Sequence, residues 1–292
     1  MMAAEQQMRV GVLTLAAGRH RHLAAQLAGL ARSDVRPLVQ VIAAMGDPAI
    51  EKVVGEAAPS WPTVVVGIDV PTTGELPLAR ARNTAAARAR EAGVDLLLFL
   101  DVDCIPAPAM MSRYRAAASR LGAVPTVLSG PVHYLEPLGA GETTYLLDDL
   151  DRLAAPHPAR PLPADHDVVV AEDMSLFWSL SFAMRDADWE RMGGFCELYE
   201  GYGGEDTDFA MQVAGQGGQL LWVGGATAYH QHHLVESPPT GHLDAIVRNA
   251  NLFYRRWGWF PMDGWLAAFR EMGLAHLNAG SSTWVTGAAS FR

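Results

Sequence analysis

An apolar run, Val94-Asp95-Leu96-Leu97-Leu98-Phe99-Leu100, ends in Asp101-Val102-Asp103 and constrains the fold more than any other stretch. A run this apolar, without alternation, reads as a strand buried on both faces, as in a parallel sheet. Asp101 and Asp103 then stand at its carboxyl end, the edge where open α/β sheets place their ligands. Residues two apart on a strand point the same way, so both carboxylates can address one point. Two hard oxygen donors there suit a divalent cation, Mg²⁺ or Mn²⁺, carrying a phosphate ligand. Acids at strand ends are also common turn starters, so the pair needs support from elsewhere in the chain.

Strand and helix patterns alternate around this run. Val10–Leu15 reads as a first strand, and the Gly18-Arg19-His20 turn leads into an Ala/Leu-rich helix over His22–Ala31. Leu38–Ala44 is a second strand ending at Gly46-Asp47-Pro48, and Thr63–Val70 is a third. Pro77–Ala92 is an Arg/Ala-rich helix feeding the Asp-x-Asp strand. The alternation implies an α/β fold, a right-handed and mostly parallel sheet flanked by helices. Val127–Tyr134 continues as a strand near the site. Leu135–Asp167 is dominated by Gly, Pro, Asp and Glu and is too long for an ordinary connection, so it reads as an active-site lid or mobile excursion. Ser175–Met184 resumes as a strand, a short helix runs through Val213, and Leu220–Tyr229 is a further strand. His242–Leu277 is Trp/Phe-rich and mostly helical in pattern, whereas Met1–Gln7 reads as a loose tail.

Composition narrows the function classes. A chain of 292 residues, half of them hydrophobic and 18% charged, is globular and can bury one large core. Its formal charge of -10 argues against nucleic acid as a partner. Arginines cluster locally at Arg19 and Arg21 and at Arg80 and Arg82, where a small phosphate compound could be held. Cys104 and Cys196 are too few for a disulfide framework or a structural zinc site. No stretch has membrane-spanning length or reads as a secretion signal, so a soluble, cytoplasmic protein is expected. There is no P-loop, and Ser175, Ser179 and Ser181 lack a nucleophile elbow.

A second constellation lies downstream of the aspartates. Met192-Gly193-Gly194-Phe195 is followed by Gly201-Tyr202-Gly203-Gly204-Glu205-Asp206-Thr207-Asp208-Phe209. The glycines let the backbone pass close to a ligand, and the acids fall in the first turn of a helix, where they also complement the macrodipole. Glu205 and Asp208 share a helix face, while Asp206 and Asp208 point in nearly opposite directions. One acid can therefore face a cleft while another holds the turn.

These motifs resemble the acceptor side of the β-1,4-galactosyltransferases and of related family 2 and polypeptide N-acetylgalactosaminyltransferase-type enzymes, all of GT-A fold. Thr14-Leu15 with Gly18-Arg19, and Arg80-Ala81-Arg82-Asn83, resemble the nucleotide-binding half of family 2, so the resemblance spans residues 10–233. It implies a catalytic domain over residues 8–233, with a nucleotide-binding half to about residue 134 and an acceptor half from about 168. Residues 234–292 would form a helical extension packed on the same domain. The aspartate after Gly-Gly-Glu is the general base in the resembled enzymes, which maps onto Asp206, with Gly204, Glu205 and Trp178 at the donor and acceptor sugars.

The same resemblance places a histidine after the last core strand in the metal shell begun by the second aspartate. In Tyr229-His230-Gln231-His232-His233 the position falls to His230 beside Asp103, with His232 the fallback because strand alternation would put it on the same face. The galactosyltransferases also use a methionine just before this histidine, and Ala226-Thr227-Ala228-Tyr229 has none, which leaves Mn²⁺ and Mg²⁺ both open. Asp101 would orient ribose and metal waters. Thr14, Arg19 and Arg82 would serve the nucleotide, and Asp47 its base edge.

The implied activity is an inverting, metal-dependent transfer of a sugar from a nucleoside diphosphate, UDP foremost, to an acceptor hydroxyl. Expected partners are the nucleotide-sugar donor, the hydroxyl acceptor and a second copy of the chain in a homodimer. One alternative is an Asp-x-Asp phosphohydrolase, although such enzymes carry that motif on a first strand and here it follows three others. Another is a silent sugar-binding protein that keeps the fold. Trp257, Trp259 and Trp265 fit core or interface better than a sugar platform.

Overall fold

The computed structural model describes residues 7–287, apart from 235 and 279. The first four strands are β1 (Val10–Ala16), β2 (Val39–Met45), β3 (Thr63–Ile68) and β4 (Leu96–Leu100). Helices α1 (His20–Ala31), α2 (Ala49–Ala57) and α3 (Leu78–Glu91) connect them, and all four strands run parallel in the order β3-β2-β1-β4. Every residue of β4 is buried, as its unbroken apolar run requires. After β5 (Cys104–Pro106) and α4 (Met110–Ala118), the sheet continues with β6 (Thr126–Ser129). Beyond β6 come β7 (Val132–Leu135), the single turn α5 (Leu150–Leu153), β8 (Ala154–Pro156) and β9 (Val168–Val170).

The second half comprises β10 (Ser181–Arg185), α6 (Asp186–Met192), α7 (Glu205–Gly215), β11 (Gln219–Val223) and β12 (Ala228–His230). The eight-stranded sheet has the order β3-β2-β1-β4-β10-β6-β11-β9, with β10 antiparallel to both neighbours and β9 an antiparallel edge. Apolar cores line both of its faces, and Phe99 of β4 stacks on Phe182 of β10 at 4.4 Å between ring centres. Burying side chains of this size stabilises by about 1.5–3 kcal/mol each.

Two stretches expected as single strands are each broken in the middle. Val127–Tyr134 divides into β6 and β7 at Gly130-Pro131, and Leu220–Tyr229 divides into β11 and β12 at Gly224-Gly225. In both cases the chain leaves the large sheet and joins a second sheet of order β5-β12-β7-β8. Backbones cross closely at these exits: a Cβ on Gly130 would run into the Ala226 carbonyl, and one on Gly224 into that of Ala164. Ser175–Met184 likewise becomes a strand only at Ser181, after a 3₁₀ turn over Met174–Leu176.

The excursion expected over residues 135–167 is tied down at several points. Its β8 pairs antiparallel with β7, Asp151 accepts from the Tyr229 hydroxyl, and Tyr145 and Arg160 are buried. The C-terminal extension is helical only in part. After α8 (Leu243–Trp257) and α9 (Asp263–Glu271) it closes with a hairpin of β13 (Ala275–Asn278) and β14 (Thr283–Thr286). One face of α8, including Ile246, Ala250 and Phe253, is buried, and Leu266, Phe269 and Trp284 complete a small core there. No described helix is long and apolar enough to cross a membrane.

Candidate active site

The site has two charged ends, and the metal end begins where β4 stops. Its last strand residue is Leu100, so Asp101–Asp103 form a turn in which Cys104 N–H donates to the Asp101 carbonyl at 2.8 Å. Strand alternation therefore ends one residue too early for the two carboxylates to share a target. Asp103 turns toward histidines, while Asp101 turns toward Arg82, whose Nη2 is 3.9 Å away. Asp101 is thus outside the ligand cluster.

Inside the protein, Gln26 of α1 braces this turn. Its amide donates to the carbonyls of Asp101 at 2.7 Å and Cys104 at 3.2 Å, and its own oxygen accepts from the Thr14 hydroxyl at 2.8 Å. Thr14 is fully buried, so it supports the turn from behind and cannot meet a nucleotide.

Pairing of β12 with β5 brings the histidines to Asp103. The Asp103 carbonyl accepts from Gln231 N–H at 2.8 Å just past the end of β12. His230 Nε2 lies 3.6 Å from Asp103 Oδ1, and His233 Nε2 lies 3.3 Å from Oδ2. One ligand atom from each of the three residues falls within 4.8 Å of the others. Around an octahedral cation with bonds near 2.1 Å, adjacent ligand atoms stand about 3 Å apart, so modest side-chain adjustment would close this set on an ion.

His232, the expected fallback, has an exposed side chain and is absent from the cluster. β12 ends at His230, the chain turns, and a residue three positions on returns to the same side. Burial opposes ionisation of Asp103, but the bond from His233 and the charges of His230, His233 and Arg19 outweigh it and hold its carboxyl below the usual range. Burial pushes the His230 ring down, favouring the neutral form that binds metals.

The base end is built around Arg82, which α3 buries between the two halves of the domain. Its Nη1 donates to Glu205 Oε1 at 3.2 Å and lies 3.7 Å from Asp206 Oδ1, while Nη2 donates to Ser179 Oγ at 2.5 Å. The guanidinium is therefore engaged by protein groups from Asp101, Glu205, Asp206 and Ser179, which makes it the hub of this end of the cleft. Burial opposes its charge, but the carboxylates of Asp206, Asp101 and Glu205 prevail and raise its pKa.

One cation cannot neutralise three acids. Burial, aided by Asp206, pushes Glu205 up to about 7 against the pull of Arg82. Burial likewise pushes Asp101 up to about 8, against Arg82 and with help from Asp103, Asp206 and Glu205. Asn83 fixes the same helix to the glycine motif, exchanging two 2.9 Å bonds with the backbone of Phe195.

The acids of α7 separate as their helical spacing requires. Asp206 Oδ2 accepts from Ser179 N–H at 3.0 Å, and Asp206 Oδ1 has no hydrogen-bond partner. Asp208 is fully buried on another face, accepting from Arg256 Nε at 2.6 Å, Trp257 Nε1 at 2.7 Å and the Tyr199 hydroxyl at 3.1 Å. Gly204 caps the helix with φ of 90°, a left-handed conformation that favours glycine. Asn249 of α8 bonds the Glu200 carbonyl at 3.0 Å and that of Gly203 at 2.9 Å, so the C-terminal extension clamps the glycine loop.

Asp47 accepts from Gly18 N–H and His20 Nε2, both at 2.8 Å, and from Ala49 N–H at 3.1 Å. These bonds knit the loops after β1 and β2. Arg19 takes a left-handed conformation with φ of 53° just before α1. Trp178 is half-buried beside Ser179, with its ring edge against His157 at 4.9 Å.

Two features escaped the sequence. His233 stood in the histidine run, but nothing there marked the end of β12. Arg160 sits in a Pro-rich stretch without a motif, yet it is buried beneath Trp178.

Comparison with known proteins agrees with this architecture. Residues 170–234 match the family described as the N-terminal domain of galactosyltransferase. No curated protein matches the chain. Among solved structures, TarS of S. aureus (residues 1–349) is similar at a TM-score of 0.54 and 13% identity, over 83% of this chain and 64% of that one. GalNAc-T7 with UDP, GalNAc and Mn²⁺ is similar at 0.54 and 16%, over 87% and 52%. The mannosyltransferase PcManGT of Pyrobaculum calidifontis, with GDP-Man and Mn²⁺, is similar at 0.53 and 16%, over 91% and 65%. The chain thus spans less than two thirds of the length of these three solved chains. It has the GT-A glycosyltransferase fold, with a galactosyltransferase-type segment over residues 170–234.

Proposed function

We propose that this chain is a metal-dependent, inverting glycosyltransferase that moves a sugar from a nucleoside diphosphate, UDP foremost, to an acceptor hydroxyl. The observation that carries the reading is the pairing of two unlike centres in one cleft. Asp103, His230 and His233 offer one carboxylate and two imidazoles to a cation, while Asp206 is a part-exposed carboxylate held by Ser179 N–H through Oδ2 and 3.7 Å from Arg82 through its buried Oδ1. Imidazole suits Mn²⁺ and its transition-metal neighbours better than Mg²⁺, so Mn²⁺ is the expected ion.

A cation bound by Asp103, His230 and His233 would stabilise negative charge developing on the leaving diphosphate. Asp206, oriented by the bond from Ser179 N–H, takes the proton of the attacking acceptor hydroxyl on its part-exposed carboxylate. Attack opposite the leaving group inverts the anomeric centre. Arg82 keeps the surrounding carboxylates from repelling one another and holds Ser179 in place. Trp178 offers an aromatic face to the apolar side of a sugar ring. The phosphohydrolase alternative would use Asp101 as a nucleophile at the end of a first strand, whereas Asp101 follows β4, the fourth strand of the chain.

The test is calorimetric titration of UDP and GDP in the presence of Mn²⁺, with release of nucleoside diphosphate from a panel of nucleotide sugars as the activity readout. Asp103→Ala should abolish metal-dependent nucleotide binding. Unchanged affinity in that variant, or a retained anomeric configuration in the product, would overturn the proposal.

A further inference from the structure

Arg160 is the one buried arginine whose charge the described protein does not answer. It is 9% exposed, and no described carboxylate lies within ion-pair distance of it. Arg82, equally buried, differs in having three acids around it. Among the described residues the sole side-chain hydrogen bond of Arg160 runs from Nη2 to Ser129 Oγ at 2.6 Å, while Nε and Nη1 are buried and have no partner. Its planar group lies between two indoles, with Cζ 4.7 Å from the Trp222 ring centre and 5.3 Å from that of Trp178. Burial pushes its pKa down, although a guanidinium stays protonated throughout the working range.

Aromatic faces return part of the lost hydration of a guanidinium but do not satisfy its N–H groups. A buried cation lacking a counter-ion is costly, and such groups mark sites where an anion arrives with a ligand.

The position of Arg160 indicates which anion. Aromatic rings form a continuous wall from the metal end to this arginine. The Tyr134 ring lies 4.9 Å from His230 and 5.6 Å from His157, and the His157 ring meets Trp178 at 4.9 Å. At its other end the wall reaches the base, because Trp178 adjoins Ser179, whose N–H donates to Asp206 Oδ2 at 3.0 Å. Arg160 therefore borders the space between the cation ligands and the base, where a donor's phosphates and sugar would lie.

We propose that Arg160 is an oxyanion-binding residue of this site, taking the diphosphate of the nucleotide donor through Nε and Nη1. Both are unpartnered and enclosed in this structure and become reachable when the half-buried Trp178 ring over the guanidinium shifts. The proposal rests on the transferase reading above, and it makes the segment carrying Arg160 part of the donor site. The planar fork of Arg matches phosphate oxygens in a way a lysine cannot reproduce.

The test compares UDP, uridine and inorganic pyrophosphate by calorimetry in Mn²⁺, with the melting temperature of each protein recorded. Arg160→Gln should weaken UDP and pyrophosphate by about 10- to 100-fold, the worth of a charge-assisted hydrogen bond, and leave uridine unchanged. Arg160→Lys, which keeps the charge, should fall between the two and serves if the glutamine variant does not fold. Equal UDP affinity in wild type and a folded variant would overturn the inference, as would equal weakening of UDP and uridine, which marks a purely structural arginine. Wild-type protein that binds pyrophosphate through Arg160 but neither UDP nor GDP would instead retire the transferase reading and leave the anion site standing. Wild-type binding of UDP with no loss in the Arg160 variants would do the reverse.

Discussion

The two ends of the cleft solve the problem of buried charge in opposite ways. At the metal end, Asp103 has two imidazoles near it and no nearby arginine within ion-pair distance among the described residues, so its charge is left for a cation to complete. At the base end, Asp101, Glu205 and Asp206 surround a buried Arg82, and the surplus of acid over base is absorbed by raised carboxyl pKa values. The first arrangement is incomplete without a ligand, whereas the second is nearly self-sufficient. A metal site must remain attractive to an ion in solution, but a general base must persist in one geometry through every turnover. Mutations at the two ends should accordingly fail differently.

The largest effect is expected at Asp206. Asp206→Asn keeps the bond from Ser179 N–H and should leave melting temperature and donor affinity close to wild type, while transfer falls by about 10²–10⁴-fold. Normal turnover in that variant would show that the base end only supports the fold.

Next is Arg82→Met, which strands three carboxylates around an apolar side chain. Unfolding in urea should show a loss of about 3–5 kcal/mol, the cost of breaking a buried ion cluster from one side. Asp103→Asn offers the contrast, because it removes a charge that no buried arginine balances. That variant should keep its stability, and a loss matching Arg82→Met would erase the distinction between the two ends.

A smaller effect separates the histidines. His233→Ala should reduce Mn²⁺ affinity by at least about 10-fold, the lower bound for losing even a supporting partner, whereas His232→Ala should leave it unchanged. The opposite ranking would return the ligand to the strand-alternation position and refute the turn geometry.

The smallest is a pH effect at Glu205, whose folded value of about 7 exceeds the unfolded value of about 4.3. Between these values the folded protein holds a proton that the unfolded chain releases, so this group's contribution to stability declines as pH rises from about 4 to 7. Glu205→Gln should flatten the fall in melting temperature over that window. An unaltered slope would mean that Glu205 ionises normally beside Arg82.

Legibility from sequence followed the range of the forces involved. The apolar run of β4 and the strand–helix alternation before it are local signals. Strands β1, β2 and β4 lie where the patterns put them because each is buried on its own account, and the part-exposed edge strand β3 is marked by its β-branched run. Helical spacing likewise separated Asp206 from Asp208 before any tertiary contact was known. Two expectations failed where a strand ended. Asp101 and His232 were both placed by alternation, yet β4 stops at Leu100 and β12 at His230. Strand ends are decided by where neighbouring backbone can still pair, and pairing partners are distant in sequence.

By itself, the sequence determined the parallel core, the edge at which charge collects and the helix that carries Asp206. Its periodicities and turn residues act over a few positions, where steric and hydrophobic rules are strong. Tertiary structure alone decided that His233 joins Asp103, that Arg82 sits among three acids and that Thr14 and Asp47 brace loops. It also placed Arg160 between two indoles with no counter-ion among the described residues. Each of these is an electrostatic outcome, and the energy of a charge depends on which distant groups and how much water surround it after folding.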